Sequence, residues 1–185
     1  YAPENGYAHY LSLGSHDTER LRTLCSGDLG RVRLAFLFQF CYPGAPGIYY
    51  GDEIGLEGGK DPDSRRAFPW DPARWDTGLR DWVRRLAHLR RERAVLRRGD
   101  FRWLASDEAG RTVAFARSMG PERVVLALNA SDTAHTLQLS AEQAGLSEGQ
   151  VLSSALGGET CRVEGGFLRL KLPPLGGDLL LTTPT

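Results

Sequence analysis

The sequence predicts an α/β unit with a parallel sheet, followed by an all-β domain with an antiparallel sandwich. Two short apolar segments, residues 7–13 and 47–51, flank a denser apolar stretch at residues 29–40. Strand, helix and strand in this order are typical of a βαβ unit, and the strands of such a unit lie parallel. In the second half of the chain the apolar period changes to two, which is typical of antiparallel strands.

The apolar stretch at residues 29–40 is too dense for a one-sided stripe, so it predicts a largely buried helix. The prolines and glycines at residues 43–47 end that helix. The β-branched and aromatic run at residues 47–51 then predicts a second buried strand, which ends at the acidic pair Asp52 and Glu53.

A long polar loop is predicted at residues 55–76, after the second strand. Ordered loops of this length are usually functional, since ligand sites in parallel α/β folds lie beyond the carboxyl ends of the strands. Asp76 or Thr77 can cap the next helix, which is rich in arginine and ends near Gly99.

The remainder of the chain predicts short strands that are separated by Gly, Ser, Asn and Pro. We place a domain boundary near residue 98, which defines domains 1–98 and 99–185. The clearest strand segments are residues 112–118, 123–129, 135–139, 161–163, 167–172 and 178–182.

Composition excludes several classes of protein. The 185 residues carry 23 basic and 23 acidic side chains, so the chain lacks the positive field that nucleic-acid and membrane-surface proteins need. No apolar run approaches the roughly 20 residues of a membrane span. Three cysteines without metal-ligand spacing indicate a reducing compartment, and we expect a cytoplasmic protein. Because the chain begins at Tyr1 without an initiator Met, we expect a piece of a longer protein.

Two polar clusters follow the two predicted strands. Residues 13–20 read Leu-Gly-Ser-His-Asp-Thr-Glu-Arg, and residues 51–56 read Gly-Asp-Glu-Ile-Gly-Leu. Taken alone, His16 and Asp17 are as well explained by a capped turn, and one His with one carboxylate is an incomplete metal-ligand set. Two clusters at successive parallel strand ends, however, face the same side of a sheet and indicate a site.

Together these motifs resemble the seventh and eighth βα units of the α-amylase family of glycoside hydrolases. The residues that carry the resemblance are 13–20 and the segment 46–70, with its Gly-Gly-Lys-Asp-Pro-Asp-Ser-Arg-Arg loop at 58–66. That loop is most similar to the neopullulanase, cyclomaltodextrinase and maltogenic amylase branch. The resemblance implies that residues 1–98 are the last two βα units of a (β/α)8 TIM barrel, and that 99–185 are a C-terminal Greek-key β-sandwich.

The resemblance also implies roles for individual residues. Asp17 matches the carboxylate that stabilises the transition state by accepting hydrogen bonds from sugar hydroxyls, and His16 matches the imidazole that binds the same sugar. Asp61 and Arg65 match loop residues that contact the adjacent glucose, although an Asp–Arg pair that only stabilises the loop explains them equally well. Trp70, an aromatic residue in a polar loop, is a candidate platform for sugar stacking.

Asp52 and Glu53 are adjacent carboxylates, and we expect them to form structural hydrogen bonds at the barrel rim, with one of them lining the site as the alternative. Consecutive residues on an extended strand point to opposite faces, so the two cannot flank one glycosidic bond. The family's nucleophilic Asp and its acid/base Glu lie on the fourth and fifth barrel strands, which would precede Tyr1.

The resulting hypothesis is that the chain is part of a retaining α-glucan hydrolase. This enzyme would act on α-1,4-linked maltodextrins, with α-1,6 links and cyclic dextrins as further candidate substrates. The chain alone would be inactive and would need the remainder of the barrel, or an intermolecular substitute, as its partner. No cofactor motif is present; calcium binding stays open. Neither a nucleic acid nor a membrane is expected as a partner.

Two other functions compete with this one. The first is a non-catalytic carbohydrate-binding or interaction module, but the aromatic residues of the β-rich half, Phe101, Trp103, Phe115 and Phe167, lie in apolar surroundings suited to a core. The second is a nucleic-acid contact through the arginine-rich helix at residues 80–98. A solvated outer helix explains that pattern better, because both flanking segments are acidic.

Overall fold

The computed structural model describes residues 6–182. They divide into two compact units, of which the first ends at Glu92 and the second begins at Arg93. The sequence placed the boundary near residue 98.

The first unit contains the predicted βαβ arrangement. Strand β1 (Tyr10–Ser12) pairs in parallel with strand β2 (Ala45–Gly47), and two helices, α1 (Leu21–Leu24) and α2 (Leu29–Cys41), connect them. The parallel pairing and the buried helix α2 confirm the prediction, while both strands are shorter than expected.

Helix α2 begins at a side-chain cap and is buried along most of its surface. The carboxylate of Asp28 accepts hydrogen bonds from the backbone N–H groups of Gly30 (2.8 Å) and Arg31 (3.2 Å), which satisfies donors that the first turn leaves free. Its buried apolar residues are Val32, Leu34, Phe36, Leu37, Phe40 and Cys41.

Gln39, which is buried in the same helix, links the two strands. Its Nε2 donates to the carbonyl of Leu11 at 2.8 Å and to the carbonyl of Gly47 at 2.9 Å. One amide group therefore satisfies an acceptor on each strand of the parallel pair.

The predicted second strand is displaced toward the N-terminus. Residues 48–51 are not part of β2, because the chain turns at Gly51, whose φ of +89° lies in the left-handed region that favours glycine. A short 3₁₀ helix, Asp52–Ile54, follows. The expectation that Asp52 and Glu53 alternate along an extended strand is therefore wrong.

Helix α3 (Thr77–Glu92) begins where Asp76 Oδ1 accepts the Leu79 N–H at 2.7 Å. It buries Leu79, Val83 and Leu86. The predicted helix does not run unbroken to Gly99: residue Arg93 has non-helical backbone angles, and a separate helix, α4 (Ala94–Arg98), follows in the second unit.

The described residues of the second unit form eight antiparallel strands, two of which, at residues 100–107 and 151–154, the sequence did not predict. The strands are β3 (Asp100–Asp107), β4 (Thr112–Met119), β5 (Glu122–Asn129), β6 (His135–Ser140), β7 (Val151–Ser154), β8 (Cys161–Glu164), β9 (Phe167–Leu172) and β10 (Gly176–Thr182). In one continuous hydrogen-bonded order they run β3-β4-β5-β10-β7-β8-β9-β6. A short helix, α5 (Ala141–Ala144), follows β6.

Both ends of this strand order contribute to one hydrophobic core. Ala116 of β4 and Val125 of β5 belong to the same buried cluster as Leu139 of β6 and Leu168 of β9. The strands therefore curve around a common core.

Candidate functional site

The turn that follows β1 carries His16 and Asp17 on the surface. The Nε2 atom of His16 lies 3.2 Å from Oδ2 of Asp17, and both side chains are largely exposed, at 63% and 68%. Hydrogen bonds within the turn hold its backbone: the Asp17 N–H donates to Ser15 Oγ (3.2 Å), and the Ser15 N–H donates to Thr18 Oγ1 (2.9 Å).

The loop after β2 brings Asp61 and Arg65 to the same place. Arg65 Nε lies 2.8 Å from Asp61 Oδ1, and Arg65 Nη2 lies 3.5 Å from Asp17 Oδ1. Arg65 Nε also donates to the backbone carbonyl of His16 at 3.3 Å, and Ser64 Oγ donates to the same carbonyl at 3.1 Å. The structure thus brings together four of the five residues that the sequence singled out, with the Arg65 guanidinium between two carboxylates.

This cluster offers a dense set of exchangeable hydrogen-bonding groups. Arg65 presents several N–H donors in a planar fork, and the carboxylates of Asp17 and Asp61 accept. Exposed ion pairs of this kind contribute about 0–1 kcal/mol each, so polar groups of a ligand can replace them at little cost. Adjacent donors and acceptors fit the vicinal hydroxyls of a sugar.

Trp70 lies on the same loop region but outside this contact network. Its side chain is the most exposed large hydrophobic one in the described residues, at 83%. The ring packs edge-on against Phe68, with centroids 4.9 Å apart, and Phe68 in turn packs against Trp75. Within residues 6–182, no hydrogen bond or ion pair joins Trp70 to His16, Asp17, Asp61 or Arg65.

A second Asp–Arg pair stabilises the loop internally. Arg66 donates from Nε and Nη2 to the two carboxylate oxygens of Asp63, at 2.7 and 2.9 Å. The Gly59 N–H donates to the same carboxylate at 2.6 Å. These donors favour the ionised form and lower the pKa of Asp63 below its ordinary value. The loop therefore contains two Asp–Arg pairs, Asp63 with Arg66 and Asp61 with Arg65, and both interpretations of the second pair stand.

Asp52 is buried against the site, next to an arginine that sequence reasoning did not single out. Its Oδ1 lies 3.5 Å from Nη1 of Arg20, and both side chains are almost fully buried. A methyl group placed on Gly14 would lie only 2.8 Å from Asp52 Oδ2, so the carboxylate lies directly against the turn that carries Asp17. Glu53 Oε2 accepts from the Gly51 N–H at 2.8 Å. The contacts of both acidic residues are with this chain's own backbone and side chains.

The environment of Asp52 raises the pKa of its carboxyl group to about 6. Removal from water is the largest cause, and it outweighs the opposing effects of the Arg20 charge and the Leu21 backbone N–H; the nearby Glu53 charge adds to the rise. Two features of the sequence relate to the pair of Arg20 and Asp52: an arginine lies three residues after Asp17, and an acidic residue follows the next predicted strand.

The second unit contains a groove of about 900 Å³ whose lining is charged. Its lining includes Arg162, Glu164, Arg169, Lys171 and Asp178, and no aromatic ring is among the lining residues, all of which lie in the described part of the chain. It therefore lacks the stacking surface that sugar-binding grooves use.

The sequence suggested that the aromatic residues of this unit are all in the core. The structure shows that some of them are partly exposed. Phe115 is buried, but Trp103 is 47% exposed and Phe167 is partly exposed. Trp103 lies on β3, which has a neighbouring strand on one side only, and packs edge-on against Phe101 and Phe115. An edge strand leaves one ring partly open to solvent, which periodicity alone does not show.

The described residues form neither a metal-binding cluster nor a membrane-spanning helix. Within residues 6–182, no group of three or more His, Cys, Asp or Glu side chains is arranged to hold a metal ion. None of the helices described there combines the length and the apolar character that crossing a membrane requires.

Comparison with known proteins identifies the family. Residues 2–122 match the model of the α-amylase catalytic domain. The chain belongs to the α-amylase family. The match includes both polar clusters, the loop between residues 55 and 76, and helix α3.

Several similar proteins carry the names of the branch that the loop motif indicated. The chain is 39% identical to a cyclomaltodextrinase of Geobacillus thermopakistaniensis over 95% of its own length and 29% of that protein. It is also 39% identical to neopullulanase 2 of Thermoactinomyces vulgaris, over 91% of its own length and 28% of that protein. The chain thus spans less than a third of the length of these relatives.

Solved structures of family members superpose closely on the chain. An α-amylase of Geobacillus thermoleovorans in complex with acarbose gives a TM-score of 0.87 at 28% identity, covering 97% of this chain and 40% of that one. A debranching enzyme of Nostoc punctiforme gives a TM-score of 0.84 at 36% identity, covering 99% of this chain and 37% of that one.

Proposed function

We propose that this chain supplies the transition-state-stabilising carboxylate and a substrate-binding loop to a retaining α-glucan hydrolase. The observation that carries the proposal is the convergence of His16, Asp17, Asp61 and Arg65 at the carboxyl ends of two parallel strands. The substrates would be α-1,4-linked maltodextrins, with cyclic dextrins and α-1,6 links as candidates. Relatives named cyclomaltodextrinase and neopullulanase support this substrate class.

The finer fold assignment belongs to the same proposal. The parallel pair β1 and β2, with helix α2 between them, is one repeat of the kind that builds a (β/α)8 barrel. In the second unit, β7, β8 and β9 pair consecutively and β10 lies beside β7, an order that supports a Greek-key connection. Residues 1–98 would be the last two βα units of the barrel, and 99–185 the C-terminal domain.

Asp17 would act by binding the transition state more strongly than the substrate. Hydrolysis proceeds through an oxocarbenium-like sugar ring, whose hydroxyls become better hydrogen-bond donors as positive charge develops. Asp17 is largely exposed, and its neighbours His16 and Arg65 are held at 3.2 and 3.5 Å. A sugar would replace water at the free lone pairs of the carboxylate, while His16 binds a hydroxyl of the same ring.

Asp61 and Arg65 would hold the neighbouring glucose. Their 2.8 Å contact orients the planar guanidinium, which leaves its other N–H groups available to donate to sugar hydroxyls. The exposed ring of Trp70 would provide a stacking surface farther along the glucan. In this scheme Asp17 governs turnover, and the other residues govern binding.

The remainder of the barrel, or an intermolecular substitute, would be the partner of the first unit. A retaining glycosidase needs two carboxyl groups about 5 Å apart that act as nucleophile and acid/base, and these would come from that partner. The exposed ring of Tyr10 on β1, 70% accessible, and the partly exposed Ile48 are apolar surfaces that further barrel strands would cover. We call the chain together with this partner the assembled enzyme. The cytoplasmic location stays a prediction from the sequence.

Hydrolysis of cyclomaltodextrin tests the proposal. The assembled enzyme should open the ring and release products that initially have the α-anomeric configuration, as seen by proton NMR during the first turnovers. The isolated chain should release no reducing sugar. Products with the β-configuration, or full activity of the isolated chain, would contradict the proposal.

A further inference from the structure

Arg20 is a fully buried cation next to the site, and the proposed chemistry gives it no role. Its side chain is 0% exposed. The guanidinium lies 4.1 Å from the ring centroid of Tyr49 and 4.4 Å from that of Tyr50, and it lies 3.5 Å from the Asp52 carboxylate. Its Nη1 donates to the backbone carbonyl of Tyr50.

The contacts of Arg20 hold both ends of the substrate-binding loop, residues 58–66. At the start of the loop, the Arg20 backbone N–H donates to the carbonyl of Gly58 at 2.9 Å. At its end, the hydroxyl of Tyr50 donates to the carbonyl of Arg66 at 2.9 Å, while the Arg20 guanidinium holds the carbonyl of Tyr50. Arg20 is thus connected to the start directly and to the end through one residue.

These contacts form a closed circuit with Asp17. Asp17 is three residues before Arg20 along the chain, Arg20 contacts Tyr50, and Tyr50 contacts Arg66. The neighbour of Arg66, Arg65, returns to Asp17 with its guanidinium at 3.5 Å. A change at Arg20 is therefore transmitted to Asp17 from two directions, along the turn and through the loop.

The exposed ion pairs of Arg65 are too weak to fix the positions of Asp17 and Asp61 by themselves. The pairs of Arg65 with Asp17 and Asp61 involve side chains about half or more exposed, and such pairs contribute little free energy while they restrict long side chains. A buried charge is costly, and here Nε and Nη2 of Arg20 have no hydrogen-bond partner among the described residues. The two tyrosine rings and the Asp52 carboxylate hold the buried Arg20 guanidinium in one position. We therefore expect this group to fix the geometry of its neighbours and to add little to the free energy of unfolding.

We propose that Arg20 is a positioning residue: it holds the turn of Asp17 and the loop of Arg65 in the register that transition-state binding requires. The inference rests on the proposed function, because it assigns Arg20 an effect that acts through Asp17. It does not assign Arg20 any contact with the sugar.

The test is a double-mutant cycle in the assembled enzyme with cyclomaltodextrin as substrate. Arg20→Lys keeps the charge next to Asp52 but removes the planar fork, and Tyr50→Phe removes only the hydroxyl that holds Arg66. We expect kcat to fall about 10- to 100-fold in Arg20→Lys and about threefold in Tyr50→Phe, since small displacements of catalytic groups have effects of this size. In an Asp17→Asn background the same two changes should lower kcat less than about twofold, because the group on which they act is absent.

Arg117→Lys is the matched control. Arg117 is also 0% exposed and also donates to backbone carbonyls, those of Leu96 and Gly99, but it lies in the second unit. Its replacement should lower kcat by the same factor in the wild-type and the Asp17→Asn backgrounds. A loss of kcat that is equal in both backgrounds therefore identifies an effect that does not act through Asp17.

Equal kcat losses in both backgrounds, or an unchanged kcat in the wild-type background, would overturn the positioning role. If Arg20→Lys fails to fold, Tyr50→Phe decides the question by the same comparison. An active wild-type enzyme with independent losses refutes this inference alone, whereas an inactive wild-type assembled enzyme refutes the proposed function, and the positioning role with it.

Discussion

Replacement of the buried Asp52 by Asn should change how the stability of the chain depends on pH. Asp52 is 3% exposed, and burial raises the pKa of its carboxyl group from 3.8 to about 6 in the folded state. A shift of this size corresponds to about 3 kcal/mol of unfavourable free energy for the ionised form. The stability that the neutral carboxyl group contributes is thus fully present below about pH 4 and is lost as the pH rises through about 6.

The measurement is urea unfolding of the chain and of Asp52→Asn at several pH values, followed by far-ultraviolet circular dichroism. The difference in unfolding free energy, wild type minus variant, should decrease by about 2 to 2.5 kcal/mol between about pH 4 and pH 7, because at pH 4 the unfolded carboxyl group is already partly ionised. Asp63→Asn is a control of opposite sign, because Arg66 and the Gly59 N–H lower the pKa of Asp63, so its contribution is present at neutral pH and is lost on acidification. A wild-type-minus-Asp52→Asn difference that is constant across this range, or that increases, would refute the assignment of burial as the dominant effect.

Substitutions at three further positions test other parts of the structure. Gln39→Leu should lower the unfolding free energy of the chain by about 2–3 kcal/mol in urea, because it leaves the carbonyls of Leu11 and Gly47 without their donor; no loss would show that the amide does not link the strands. Asp28→Ala should cost about 1 kcal/mol in the same assay through loss of the α2 cap, and Asp28→Asn should restore most of it. Trp103→Ala should leave maltohexaose binding by the chain unchanged in isothermal titration, and a loss of binding would favour a carbohydrate-binding module instead.

Local patterns were sufficient to predict helix α2 and the parallel arrangement of its flanking strands. The apolar density at residues 29–40 and the Pro and Gly residues that follow are short-range signals, and the helix ends at Cys41. The position of β2 was missed because residues 48–51 have a strand-like composition, while the left-handed backbone of Gly51 and the contact between Arg20 and the Tyr50 carbonyl turn the chain there. The contact between Arg20 and the Tyr50 carbonyl joins residues that are 30 positions apart in the chain, so no local sequence pattern predicts it.

In the candidate site, too, local motifs predicted some features, while others depend on contacts between distant parts of the chain. The motifs identified His16, Asp17, Asp61 and Arg65 as residue types suited to sugar binding. Their proximity, with Arg65 between two carboxylates, depends on the fold of the loop, which also contains the pair of Asp63 and Arg66. A buried arginine between two tyrosines is a tertiary arrangement, so the importance of Arg20 emerges only from the structure.

The kinetics of Asp17→Asn in the assembled enzyme test whether Asp17 stabilises the transition state, as we propose. We predict that kcat for cyclomaltodextrin falls about 10²- to 10³-fold, the usual effect of removing one such group, while the dissociation constant of the substrate changes less than about threefold. Asp61→Asn, at the neighbouring position of the cluster, should instead weaken binding more than it lowers kcat. An Asp17→Asn enzyme with unchanged turnover, or with equal losses in turnover and binding, would contradict the claim.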